Sequence, residues 1–97
     1  MKLVYTEHLK TRLRQRGISL RLVKEIFTKN EEHYFDNLRR HYIVVSLLRY
    51  KDKMRKVLAA YDIIGEKAEV ITIHPIEDEE IKIRLISGRW SHEKDKH

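Results

Sequence analysis

A chain of 97 residues has room for one domain around a single core, and without cysteine it has neither a disulfide framework nor a thiolate metal site. Its 21 lysines and arginines outnumber 15 acidic residues for a formal charge of +6, which favours a polyanionic partner: RNA, DNA or an acidic protein. The opening "MKLVYTEHLK" is too polar for a secretory signal, and no apolar run approaches the ~20 residues of a membrane-spanning helix, so a soluble, cytoplasmic protein with no membrane contact is expected.

"TEHLKTRLRQRGIS" reads as a first helix. Thr6 caps it, Glu7 suits its positive end, and Arg12, Arg14 and Arg16 suit the other. Leu9 and Leu13, one turn apart, mark the inward face, and Gly17 followed by Ile18 is a helix stop. Ser19 then caps a second helix carrying an apolar stripe of Leu20, Val23, Ile26 and Phe27, which "TKNEE" breaks. The chain therefore opens on a helical hairpin.

The period then changes from helix to strand. A short edge strand is expected around "HYFDNL" (His33 to Leu38). "HYIVVSLLRY" (His41 to Tyr50) is apolar on both faces, the pattern of a strand covered on both sides. "KDKM" reads as a charged turn, "KVLAAYDII" (Lys56 to Ile64) as the next strand, "GEK" as a tight turn and "AEVITIH" (Ala68 to His74) as another strand. Short connections make these neighbours antiparallel. "IKIRL" alternates like a strand, yet "EDEE" before it and Gly88 after it are helix boundaries, so a helix from Asp78 to Ser87 is expected. The fold class is α+β: two N-terminal helices on a three- to four-stranded antiparallel sheet, with a C-terminal helix. One compact domain is expected over residues 1–90, and "SHEKDKH" (residues 91–97) as a polar, disordered tail.

Two constellations are candidates for chemistry. His8, Arg12 and Arg16, spaced by four, form a cationic stripe about 12 Å long that can follow a phosphate backbone; a solvated helix face explains the same spacing. His74, Arg84, Arg89 and Trp90 surround the end of "ITIHPI". There a histidine can take the proton of a ribose 2′-hydroxyl, the arginines can hold the phosphate, and the indole can stack a base. The plainer alternative is that His-Pro only ends a strand and Trp90 closes the core. Six histidines show no chelating spacing, and phosphate-loop, nucleophile-elbow and dinucleotide motifs are missing, so neither metal nor cofactor is expected.

"EHLKTRLRQRGISLRLVKEIF", "VITIHPI" and "SGRW" together resemble the small bacterial and archaeal domains related to the BrnT toxins, distant members of the RelE/ParE-like toxin superfamily. The resemblance runs from about Thr6 to Trp90. It implies two helices packed on an antiparallel sheet and, for toxin members, metal-independent RNA cleavage, ribosome-linked or not. It also implies an antitoxin partner and allows a homodimer. His8, Arg12 and Arg16 match the basic positions of the family's first helix. "ITIHPI" falls where BrnT-like toxins end a strand on a Ser-Ala-Arg type sequence, so the family's basic residue is missing there and Arg84 and Arg89 are the candidates to replace it. The expected activity is thus a toxin-type endoribonuclease with catalytic His74, Arg84 and Arg89, and with His8, Arg12, Arg16 and Trp90 on the RNA. The alternative is an RNA- or protein-binding module that kept the fold and lost the chemistry. Proximity separates the two. A first-helix arginine sharing a phosphate-sized space with His74 favours catalysis, and a His74 buried against backbone disfavours it.

Overall fold

In the computed structural model, which describes residues 2–93, three helices and six strands form a helix–sheet–helix sandwich. The strands are β1 (Lys2–Tyr5), β2 (Glu32–Asp36), β3 (His41–Tyr50), β4 (Lys53–Ile64), β5 (Lys67–Pro75) and β6 (Trp90–His92). The helices are α1 (Glu7–Arg16), α2 (Leu20–Lys29) and α3 (Asp78–Ile86). The sheet order is β1-β5-β4-β3-β2-β6, antiparallel throughout except that β1 runs parallel to β5.

The long strands are buried on both sides, and their alternation assigns the faces. Val44, Val57, Ala59, Val70 and Ile73 pack with Leu9 and Leu13 of α1 and Val23 and Ile26 of α2. Their neighbours Ile43, Val45, Leu58 and Ala60 turn the other way and pack with Ile76, Ile81 and Trp90 of the α3 segment. Successive strand side chains point to opposite faces, so α1 and α2 cover one side and α3 the other. Ser46, fully buried, joins sheet to helix by donating its hydroxyl to the Ile26 carbonyl at 2.9 Å.

The α+β class, the three helices and their caps follow the sequence pattern. The Thr6 hydroxyl accepts the Leu9 N–H at 3.0 Å, and Gly17 holds the left-handed φ of 67° that ends α1. Ser19 occupies the N-cap of α2 without a side-chain bond, and Leu20 is exposed rather than part of the buried stripe. The strand count requires correction. The sheet has six strands and is mixed, because β1 precedes the helical hairpin and β6 follows α3. β2 is therefore an interior strand, with β6 on its outer side. Ser91 and His92, expected in the tail, pair with Phe35 and Tyr34; residues 94–97 lie outside the described part. The turn after β3 is only Lys51 and Asp52, at φ 50° and 66°, so Lys53 and Met54 already belong to β4.

Candidate functional site: a cationic cleft between α3 and the sheet

β5 carries a bulge. Ala60 pairs with Thr72 but Tyr61 with Val70, leaving Ile71 as the extra residue. Beyond it Thr72 and His74 stand opposite Ala60 and Leu58, on the face that α3 crosses. Pro75 then ends β5, the Ile76 N–H bonds the Lys56 carbonyl at 3.0 Å, and α3 carries the chain across the sheet. Gly88, at φ 81°, reverses it so that Arg89 and Trp90 arrive beside β2. The path encloses a cleft of about 230 Å³. Ile43, Leu58 and Ala60 belong to the sheet beneath it, Ile71 and Trp90 also line it, and its polar lining is Asp36, Arg39, His41, Thr72, His74, Arg84 and Arg89.

His74, Arg84, Arg89 and Trp90, grouped from sequence, therefore do meet. His74 is half-buried, with Nδ1 2.9 Å from the Pro75 carbonyl oxygen. A carbonyl only accepts, so in the neutral ring that bond places the proton on Nδ1 and the basic lone pair on Nε2. Arg84 lies over the Trp90 ring, its guanidinium carbon 5.0 Å from the centroid, with the half-exposed Glu80 only at 3.9 Å. Arg89 donates to Asp36 Oδ2 at 3.3 Å. Asp36, 4% exposed, also accepts the Leu38 and Arg39 backbone N–H groups, each at 3.0 Å. Burial alone pushes the Asp36 carboxyl up, but the Arg39 N–H, the Arg89 guanidinium and the Leu38 N–H together outweigh it and hold the group below its ordinary value. Arg89 Nε and Trp90 Nε1 are buried with no hydrogen-bond partner among the described residues. Trp90 is 2% exposed, stacked on Tyr34 at 5.2 Å and covered by Arg84, so its ring offers no open face to a base and the stacking role expected from sequence is not met.

The first-helix stripe is elsewhere. His8, Arg12 and Arg16 are exposed on α1, across the sheet from His74, so no first-helix arginine shares a phosphate-sized space with that histidine. Leu9 and Leu13 bind α1 to the far face, and no side chain spans a packed sheet. Four polar cleft residues were not identified from sequence: Asp36, Arg39, His41 and Thr72. Of these His41 has the most chemical content, because its Nδ1 lies 2.8 Å from Asp62 Oδ1 and its ring is thereby oriented by a carboxylate. His41 flanks the Tyr42–Tyr61 pair and His74 stands opposite Leu58, so their Cα atoms are separated by two strand spacings and four residues along β4, roughly 17 Å. The two histidines belong to opposite ends of a cleft longer than one phosphate.

A larger cavity, about 530 Å³, lies on the face covered by α1 and α2 and is lined by none of the site residues expected from sequence. Among the described residues no group of three or more His, Cys, Asp or Glu is arranged to hold a metal ion, and no helix is long and apolar enough to cross a membrane. No family model, curated protein or solved structure matches the chain.

Proposed function

We propose that the cleft binds single-stranded RNA and cleaves it without a metal, as a toxin-type endoribonuclease. The observation that carries this is the convergence of His74, two arginines and an indole in a single half-open cleft. His74 Nε2 takes the proton from a ribose 2′-hydroxyl, and the 2′-oxygen forms a bond to the adjacent phosphorus. The P–O5′ bond breaks, the 5′-oxygen leaves with a proton from solvent, and a 2′,3′-cyclic phosphate remains. Arg84 and Arg89 offset the charge that builds on the phosphoryl oxygens, and the Trp90 ring beneath Arg84 holds that guanidinium in place. An antitoxin that occludes the same cleft belongs to this proposal.

The test is incubation of a defined RNA in EDTA with the wild type, His74→Ala and Arg84→Ala. Loss of at least about 100-fold in rate in both folded variants is expected. No cleavage by the wild type, with and without ribosomes, refutes the activity.

A specific observation favours a second reading, a non-catalytic RNA- or protein-binding module. Arg89 is engaged by Asp36, His74 Nδ1 is bonded to backbone, and the first-helix cations lie on the other face. In that case RNA binds with a salt-dependent affinity that Arg84→Ala weakens, and no product forms.

A further inference from the structure

One register row crosses the face covered by α1 and α2 from edge to interior: Tyr5 on β1, Val70 on β5, Tyr61 on β4, Tyr42 on β3 and Phe35 on β2. Four of its five members are aromatic. Tyr61 and Tyr42 stack at 5.7 Å, Tyr42 and Phe35 meet edge-on at 5.1 Å, and Phe27 of α2 meets Tyr61 edge-on at 5.1 Å. At the Tyr5 end the row opens into the cavity of about 530 Å³. Leu3, Tyr5, Phe27 and Tyr61 give it apolar, mostly aromatic surface, while Lys24 and Asn30 give it polar groups. The hydroxyl of Tyr5, one of the lining residues, is buried without a hydrogen-bond partner.

We infer that this cavity is a nucleobase-binding site, taking the base of a nucleotide with its phosphate towards Lys24. The walls select a flat ring, because aromatic side chains stack any nucleobase with little regard to sequence. The volume is within the range of small-ligand pockets, which combine apolar walls with a few placed polar groups. An aliphatic ligand leaves the Tyr5 hydroxyl and the Asn30 amide unmatched, whereas a base edge carries both donors and acceptors for them. Lys24 supplies a point charge for a phosphate. The cationic stripe belongs to the same face: His8 is three residues beyond Tyr5, at most about 11 Å along the chain. A strand whose base enters the cavity can therefore continue along Arg12 and Arg16, which gives those residues a partner that the α3 cleft cannot. This site does not depend on whether the cleft cuts RNA.

The experiment is a titration of the whole ¹⁵N-labelled chain with adenosine 5′-monophosphate, uridine 5′-monophosphate, adenosine and inorganic phosphate, read from backbone amide shifts. Saturable shifts at Leu3, Tyr5, Phe27 and Asn30 are expected for both nucleotides. Tyr5→Phe, which removes only the hydroxyl, should weaken them about fivefold. Lys24→Ala, a surface change that leaves the fold intact, should weaken the nucleotides towards the affinity of adenosine. Three outcomes overturn the site: no shift at millimolar nucleotide, shifts confined to Arg84 and Trp90, or the same shifts with phosphate alone. His74→Ala should leave the nucleotide shifts unchanged even if it abolishes RNA cleavage, so failure of either proposal is visible without the other.

Discussion

Asp36 organises one end of the cleft, and removing its carboxylate has a cost that can be worked out in parts. Asp36→Ala deletes acceptors for the Leu38 and Arg39 N–H groups and for the Arg89 guanidinium. Each turn bond contributes about 1 kcal/mol and the charge-assisted bond about 1.5 kcal/mol, reduced by its length and by the part-exposed Arg89, so the total is about 3 kcal/mol. Asp36→Asn keeps Oδ1 for the two turn N–H groups but puts an amide N–H in place of the Oδ2 that accepts from Arg89, so it should cost about 1.5 kcal/mol. Urea unfolding at pH 7 measures both, and for a domain of this size the alanine variant should also melt more than about 10 °C lower. The folded carboxyl is held below its ordinary value. Its charge-dependent stabilisation is therefore complete above the unfolded pKa near 3.9 and is lost as pH falls through the lower folded value. The gap between wild type and Asp36→Asn should be constant from about pH 7 to 5 and close below about pH 4. An alanine cost under about 1 kcal/mol, or an asparagine variant as damaged as alanine, refutes this account of the turn.

Thr6→Ala removes the acceptor for the Leu9 N–H and should lower stability by about 1 kcal/mol in urea. Lys51→Asn with Asp52→Gly places residues that tolerate positive φ at 50° and 66°, and should raise stability by about 1 kcal/mol with an unchanged m-value. Lys56 donates to Glu32 and Asp78 at 2.7 Å each, tying β4 to β2 and to the start of α3, and those bonds raise its pKa above the ordinary lysine value. Lys56→Met should cost about 2 kcal/mol, most of it from Glu32 because Asp78 is largely exposed. The lysine's contribution is complete below its unfolded pKa near 10.4 and lost as pH rises through the higher folded value, so unfolding curves of the two proteins should converge only above that pH.

Local chemistry made α1 legible: a threonine cap, two leucines one turn apart and a glycine stop each act within a few residues of their own position. The same holds for α3, where Glu77 to Glu80 and Gly88 outweighed the strand-like "IKIRL", and the structure shows a helix over Asp78–Ile86. β1 and β6 left no such mark. Each is too short to show a period, and each is defined by a distant partner: Lys2 opposite Lys67, and Tyr34 opposite His92. The side of the sheet on which α1 lies was equally hidden. A stripe at spacing four says which residues share a helix face, but not which face of a sheet that helix covers.

The His41–Asp62 pair was lost for a narrower reason, the length of one turn. With "KDKM" as the turn, Tyr50 would stand opposite Arg55 and His41 opposite Ile64, and no dyad would exist. The turn is Lys51–Asp52 alone, Tyr50 pairs with Lys53, and the same register carries His41 to Asp62. Two-residue hairpin turns of this kind usually announce themselves by Asn-Gly or Asp-Gly, because both central residues take positive φ. Here Lys51 and Asp52 hold that conformation without such residues, and the long β3–β4 ladder, closed over Val44, Val45, Leu58 and Ala59, imposes it on them. Tertiary burial thus overrode turn preference, and the price of that override was a hidden register. A two-residue error at the turn shifts every cross-strand partner, so the composition of a cleft floored by β3, β4 and β5 depends on the hairpin tip far from it. It follows that the Lys51–Asp52 turn, though remote from the cleft, is the local feature that brings an oriented histidine into it.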